Sequence, residues 1–228
     1  MTTTDVRAVP GVPECTLDDA TVAALPSDAP PAPWDVTCTS IMWYGRGGRA
    51  AGRAAGAVAT TGRGLVTIGG IVSYSRTPVG PYHEAFATVA VRRGRSVRGT
   101  IPFMAVDSPL SLVGGRRNWS LPKCLAQFTG EPAAAGATMT AAGAGWAIRA
   151  TARPFGPTYP IPMSGRLVQA GSDGRLRESV LAGHGRARSA LVTVEVTSSR
   201  GDLARWLRPG RHLGAVLLDT AFELSAPG

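Results

Sequence analysis

The sequence predicts an α+β fold in which antiparallel β-structure predominates and helices are few. Short apolar runs, rich in β-branched residues and bounded by Gly or Pro, recur from Trp34 to the C-terminal end. Apolar patterns with a helical period are scarce by comparison. With 228 residues, of which 44% are hydrophobic, the chain can bury the core of a single domain.

The strand-like runs define the domain organisation. Residues 1–33 are rich in Pro, Asp, Thr and Ala, which predicts a proline-rich N-terminal arm without catalytic residues, and residues 34–228 form the main domain. Eight runs predict strands, and their β-branched content and spacing suggest a system of sheets. They are residues 36–44, 64–74, 84–91, 99–106, 145–152, 165–171, 190–196 and 215–224.

Two other segments favour helices. The first begins near Asp107 or Ser108, has Pro109 in its first turn and extends to about residue 120. The second covers residues 199–208 and ends at Pro209 and Gly210. Residues 45–64 are rich in Gly, Ala and Arg but lack the spacing of a phosphate-binding loop, so compositional bias explains them better.

The net charge of +9 makes nucleic acid the first partner to consider. The arginines, however, occur singly or in pairs among glycines, without aromatic interleaving or a recognisable nucleic-acid-binding motif. We therefore predict no nucleic-acid partner and interpret the charge as a solvated basic surface, whose field would also favour an anionic substrate.

Cysteines, histidines and apolar runs limit the compartment and the cofactors. Three cysteines, widely spaced and without a CxxC pair, indicate neither a disulfide framework nor a zinc site, and the three histidines are too far apart for a metal motif. No signal-peptide pattern or spanning apolar stretch is present. We expect a cytoplasmic protein with no membrane partner and no metal or organic cofactor.

Lys123 is the only lysine in the chain, and the other 23 residues of the Lys and Arg total are arginine. Mutational bias in a GC-rich genome could leave one lysine by chance. A guanidinium, however, stays protonated and cannot attack a carbonyl, whereas an amine in a dry or positively charged site can become a nucleophile. The position of Lys123 therefore indicates a possible imine-forming residue.

Two segments place Lys123 in a recognisable pattern. Residues 99–128, GTIPFMAVDSPLSLVGGRRNWSLPKCLAQF, and residues 78–86, PVGPYHEAF, resemble the acetoacetate decarboxylase family in order and spacing. The resemblance covers roughly residues 34–224. It implies a β-barrel or cone with few helices, a homo-oligomer, Lys123 as the Schiff-base lysine and Glu84 as an active-site carboxylate.

The sequence also departs from the family pattern. The family is itself the known example of a lysine activated by desolvation or by a neighbouring cation, and its second lysine is replaced here by Cys124. By counting, a second family glutamate falls near Gly69, and residues 35–43 hold no clear counterpart of a family arginine. Desolvation would have to favour the neutral amine.

These observations predict a Schiff-base-forming lyase that acts on a small β-keto or 2-oxo acid, with Lys123 as nucleophile and Glu84 as proton shuttle. Tyr82, Arg116, Arg117 and Trp119 are candidate substrate-binding residues, although Arg116 and Arg117 could equally compensate a helix dipole and Trp119 could belong to a core. Two alternatives stay open. The chain could bind a small molecule without catalysis, or it could perform Schiff-base aldol or dehydration chemistry.

Overall fold

A computed structural model describes residues 5–228 and shows one ten-stranded sheet, in the order β5-β4-β3-β2-β1-β10-β9-β8-β7-β6. The strands are β1 (Trp34–Gly48), β2 (Gly64–Arg76), β3 (Tyr82–Arg93), β4 (Ser96–Val106), β5 (Lys123–Leu125), β6 (Gln127–Thr129), β7 (Ala137–Gly143), β8 (Trp146–Ala170), β9 (Leu176–Ser198) and β10 (Gly210–Leu224).

The sheet curls until β4 meets β8, where Gly99 pairs with Leu167. This contact and the β4–β5 pair are parallel, and the other neighbouring strands pair antiparallel. The predicted fold class, a mostly antiparallel closed sheet with few helices, is therefore confirmed.

All eight predicted runs lie on strands, but the structure joins some of them and adds others. Residues 145–152 and 165–171 belong largely to the single strand β8, which continues through a proline-containing stretch that carries a register shift between Pro154 and Thr158. Proline removes a ladder donor and concealed this continuity in the sequence. The short strands β5 and β6, and the alanine-rich β7, gave no strand signal.

The four α-helices are α1 (Asp19–Ala23), α2 (Arg49–Ala54), α3 (Pro109–Trp119) and α4 (Leu203–Leu207). Both predicted helices exist, as α3 and α4. The Oγ of Ser108 accepts a hydrogen bond from the Ser111 amide and caps α3, and Pro109 occupies its first turn. None of the helices in residues 5–228 is long and apolar enough to cross a membrane.

Buried side chains form two main clusters on opposite faces of the sheet. Strand alternation sends Ala85 and Ala87 of β3 to the larger cluster, inside the barrel, and Tyr82 to the second. Helix α3 contributes Leu112 and Val113 to this second cluster. Helix α3 thus covers the outer face of β1 to β4 and encloses a dry layer there.

The segment that precedes β1 packs against this layer. The Val12 amide donates to the Pro102 carbonyl (3.0 Å), and the Arg116 guanidinium donates to the carbonyls of Val6 and Cys15 (2.6 Å each). Strand β1 begins at Trp34, directly after the predicted arm. The arm therefore packs against α3, the helix that covers the sheet.

Candidate active site

Lys123 begins β5 and pairs with Met104 of β4. Helix α3 ends at Trp119, its C-cap Ser120 adopts a left-handed conformation (φ 54°), and the Leu121 amide donates to the Gly115 carbonyl. This reversal directs the lysine side chain back beneath α3, where the residue is only 3% exposed. An ideal Cβ on Gly115 would lie 2.6 Å from Lys123 Cδ and Cε, so the glycine makes room for the lysine side chain.

Glu84 of β3 is the charged partner of this lysine. Lys123 Nζ donates to Glu84 Oε2 at 2.8 Å, and the two side chains are 4% and 5% exposed. Cross-strand neighbours of Glu84 are Val72 and Val106, so the carboxylate stands in an apolar layer. A buried ammonium is tolerated only beside such a partner.

Two tyrosines hold the carboxylate from the other side. Tyr74 of β2 and Tyr82 of β3 are cross-strand partners whose rings stack with centroids 4.6 Å apart. Their hydroxyls donate to Glu84 Oε1 (3.2 Å) and Oε2 (3.5 Å). Burial, together with the nearby Glu84 charge, raises the pKa of both phenols well above the ordinary value, so they remain protonated donors.

Ser111 completes the surroundings of the amine. Its Oγ accepts a hydrogen bond from Lys123 Nζ at 2.9 Å, and the residue is fully buried. The Tyr82 hydroxyl lies 3.5 Å from the same amine, so Ser111 Oγ and the Tyr82 hydroxyl both border Nζ. Nζ therefore faces one carboxylate and two hydroxyls.

A thiol lies on the same face, on β1. Cys38 pairs with Tyr74 across the strands, and burial followed by the nearby Glu84 charge raises the pKa of its thiol to about 12. The thiol is thus neutral at working pH and contributes packing to the site instead of a nucleophile.

This arrangement can generate a neutral amine without separating charge in a dry site. Transfer of one proton from Nζ to Glu84 Oε2 converts an ion pair into an amine and a carboxylic acid. The protonated Glu84 can then return that proton to a reacting group. Lys123 and Glu84 together can therefore supply both a nucleophile and an acid.

The structure brings three of the six sequence-predicted site residues together, namely Lys123, Glu84 and Tyr82. Arg116 is 1% exposed, and its Nε donates to the Lys123 carbonyl at 2.6 Å while the rest of the guanidinium binds the arm. Arg117 donates to the Ser27 carbonyl, also in the arm. In this structure both guanidinium groups contact main chain of this protein, away from the Lys123 amine.

Trp119 also belongs to a packed layer. Its ring meets that of Trp34 edge to face, with centroids 5.2 Å apart, and its Nε1 donates to the Ser225 carbonyl. These contacts fix the C-terminal end of α3 against β1 and the C-terminal segment, which places Trp119 in the core.

The sequence analysis missed Ser111, Tyr74 and Cys38. The helical period carried a signal for Ser111. Ser111 and Gly115 are four residues apart and share one face of α3, and this face packs on Lys123 because Gly115 makes room for its side chain. Tyr74 could have been found from the turn that joins β2 to β3, since this turn sets Tyr74 opposite Tyr82. Cys38 depended on the register between β1 and β2, which the sequence does not reveal.

Cys124 and Gly69, the two positions at which the sequence departs from the resembled pattern, lie in packed surroundings. Cys124, in place of a second lysine, is 5% exposed and its Sγ lies 3.5 Å from the Met104 carbonyl, which the buried Cys15 thiol also approaches. Gly69 faces the barrel interior, where the Trp43 indole occupies the space that a side chain at residue 69 would need. A side chain at this position would point away from Lys123, because the two residues lie on opposite faces of the sheet.

A cavity of about 310 Å³ lies elsewhere, between the arm, α2 and α4, and is lined by residues that include Val12, Ala54 and Trp206. Lys123 and Glu84 do not line it. Because both residues are buried, a substrate can reach Nζ only after the side chains packed around it move aside.

Both the sequence around Lys123 and the fold resemble those of known proteins. A family model described as acetoacetate decarboxylase matches residues 57–151, a segment that contains Glu84, Ser111 and Lys123. An acetoacetate decarboxylase from Legionella pneumophila subsp. pneumophila has a similar structure, with a TM-score of 0.62 and 14% identity over 89% of this chain and 88% of the other. The chain is thus similar in fold to acetoacetate decarboxylases.

Further structural likenesses extend over nearly the whole chain. A second acetoacetate decarboxylase structure superposes with a TM-score of 0.61 and 12% identity over 92% of this chain and 96% of the other. The enduracididine biosynthesis enzyme MppR gives a TM-score of 0.59 and 13% identity over 87% of each chain. No curated protein sequence matches the chain. The family resemblance predicted from the two motifs is thus confirmed, at a low level of identity.

Proposed function

We propose that this acetoacetate decarboxylase-like protein is a Schiff-base-forming lyase that acts on a small β-keto or 2-oxo acid, with Lys123 as nucleophile and Glu84 as proton shuttle. The observation that carries the proposal is the buried 2.8 Å contact between Lys123 Nζ and Glu84 Oε2, and the resemblance of residues 99–128 gives Lys123 the role of the Schiff-base lysine. An imine-forming lysine needs a partner that can take its proton and later return it.

The proposed reaction begins when Nζ passes a proton to Glu84 and attacks the substrate carbonyl carbon. The carbinolamine loses water and leaves an iminium between Nζ and the substrate. For a β-keto acid, the bond between the α-carbon and the carboxylate then breaks, CO2 departs, and the electron pair moves into the iminium to give an enamine. Glu84, deprotonated when the water left, takes up a proton from solvent and delivers it to the enamine carbon, and hydrolysis of the resulting iminium releases the ketone and restores the amine.

Relatives support a keto or oxo acid as the substrate class. MppR has been crystallised with pyruvate and with a condensation product of pyruvate and an imidazole carboxaldehyde. The same iminium can accept electrons from a C–H bond as well as from a carboxylate, so aldol or dehydration chemistry on a 2-oxo acid uses the same Lys123 and Glu84.

A ligand-binding protein without catalysis is the second candidate, and two observations favour it. Cys124 and Gly69 replace two polar positions of the family pattern, and the Lys123–Glu84 pair is fully enclosed by its neighbours. In such a protein the ion pair would serve as an element of the core.

Trapping experiments distinguish the two candidates. The protein is incubated with a panel of β-keto and 2-oxo acids, reduced with sodium borohydride, and analysed by intact and peptide mass spectrometry, with Lys123→Arg as the control. We expect a substrate-dependent adduct on Lys123 that is absent from the variant. A thermal shift with small acids, without any adduct or turnover and without dependence on Lys123, would instead establish the ligand-binding candidate.

We further propose a homo-oligomer in the cytoplasm. Support for the compartment comes from Cys15, Cys38 and Cys124, which are all free thiols. Size-exclusion chromatography with light scattering tests the assembly, and a monomer at micromolar concentration would refute it.

A further inference from the structure

We propose that Ser111 is a further catalytic residue, whose hydroxyl protonates the carbinolamine oxygen as it leaves as water during imine formation. This inference rests on the proposed function of Lys123. The observations behind it are the 2.9 Å contact between Ser111 Oγ and Nζ, the complete burial of Ser111, and the Tyr82 hydroxyl 3.5 Å from the same Nζ.

The number of N–H groups on Nζ changes during the reaction. The ammonium has three, and the structure gives it three oxygen neighbours, on Glu84, Ser111 and Tyr82. An iminium nitrogen keeps only one N–H. The neutral carbinolamine nitrogen that precedes it also has one N–H, so only one of the three oxygens can still accept from Nζ, and Ser111 is released from its role as an acceptor.

The released hydroxyl is close to the group that must leave. The departing oxygen is bonded to the carbon that Nζ has attacked, so only one atom separates it from Nζ. A hydroxyl in hydrogen-bond contact with Nζ is therefore within reach of that oxygen. With its lone pairs no longer engaged by Nζ, Ser111 can turn its O–H toward it.

The proton that Ser111 donates has a defined source. Glu84 acquires a proton from Nζ before attack. The Tyr82 hydroxyl donates to Glu84 Oε2 and shares Nζ with Ser111 Oγ, so the two hydroxyls can meet once Nζ releases them. As the C–O bond breaks, Ser111 gives its proton to the leaving oxygen, Tyr82 gives one to Ser111, and Glu84 gives one to Tyr82. Each hydroxyl is restored, and the net change is transfer of one proton from Glu84 to the water that departs.

Helix α3 holds Ser111 in place for this role. The Ser111 amide donates to the capping Ser108 Oγ at 3.2 Å, so the main chain of Ser111 is fixed by the start of the helix. Its side chain stays free to exchange partners between Nζ, Tyr82 and a substrate oxygen.

The test measures the rate at which Lys123 acquires a pyruvate adduct, with samples quenched by borohydride over time and read by peptide mass spectrometry. We expect Ser111→Ala to slow adduct formation by about 100-fold, the usual worth of a general acid. The remaining rate should fall as the pH rises, because hydronium must then supply the proton. Ser111→Thr retains a hydroxyl and should recover most of the rate, while Ser179→Ala, a matched change at a buried serine of β9, should leave it unchanged.

Each outcome has a separate meaning. A wild-type rate in Ser111→Ala, alongside normal trapping by the wild-type protein, would overturn the role of Ser111 and leave Lys123 as the nucleophile. The absence of any adduct in the wild-type protein, with pyruvate and with the wider panel of acids, would overturn both. If Ser111→Ala does not fold, Tyr82→Phe decides, because it interrupts the relay behind Ser111. Unchanged rate and pH dependence in Tyr82→Phe would refute the relay.

Discussion

The ammonium of Lys123 lies 2.8 Å from the carboxylate of Glu84, and both side chains are about 95% buried. Removal of either partner leaves an unpaired buried charge. We expect Lys123→Met and Glu84→Leu each to lower the free energy of unfolding by about 3–5 kcal/mol, whereas Lys123→Met/Glu84→Leu should recover most of it. Urea denaturation of the four proteins measures this cycle.

The decisive quantity is the difference between the destabilisation of the double variant and the sum for the two single variants. If the double variant is as unstable as the sum of the single variants, the ion pair contributes nothing specific, and the contact is not maintained in solution.

Gly115 makes room for the lysine side chain, so Gly115→Ala should displace it. The added Cβ would lie 2.6 Å from Lys123 Cδ and Cε. We expect adduct formation on Lys123 to fall at least tenfold, while the better helix propensity of Ala offsets part of the loss in stability. Gly165→Ala is the control, because a Cβ there has open space. Equal trapping rates in the two variants would show that Gly115 does not position the lysine.

The adjacent arginines Arg116 and Arg117 should differ sharply in their effect on stability. Arg116 is buried and donates to three carbonyls, including that of Lys123, whereas Arg117 is partly exposed and donates to one. We expect Arg116→Gln to cost about 3 kcal/mol or more and Arg117→Gln less than about 1 kcal/mol.

The same two variants test the predicted role of these arginines in substrate binding. If Arg117→Gln raises KM while stability is unchanged, Arg117 binds substrate after all. If both variants behave alike in denaturation, the main-chain contacts of Arg116 are not what holds the arm.

His83 should make stability depend on pH. Burial acts to lower its pKa, but hydrogen bonds to Glu131 and Asp107 outweigh burial, so the pKa of His83 is raised. A raised native pKa stabilises the fold below the ordinary value of about 6.5, and this contribution is lost as the pH rises through the native value. The wild-type advantage over His83→Gln should therefore be larger at about pH 6 than at about pH 9.

Thermal or urea unfolding of wild type and variant at both pH values checks this expectation. His184→Gln, at an exposed position of β9, serves as the control and should show a smaller difference between the two pH values. An advantage that grows with pH would mean that the hydrogen bonds of His83 do not favour its charged form.

Local sequence predicted most of the secondary structure and singled out Lys123 by its motif. The apolar runs predicted strands because each alternates on a half-buried surface, and Ser108 with Pro109 predicted the start of α3 because capping depends only on neighbouring residues. The position of Lys123 after a proline, with Glu84 upstream, was visible for the same reason: the motif is contiguous.

Tertiary structure alone decided which side chains surround the lysine. Tyr74, Glu84, Ser111 and Lys123 come from three strands and one helix, and strand register and the placement of α3 bring them together. Gly69 is an example. Counting along the sequence placed a family glutamate of the active site near residue 69, whereas alternation along β2 directs that position toward Trp43. Residue spacing fixes the chemistry available, but the direction of each side chain depends on contacts between residues far apart in the chain, which no local pattern encodes.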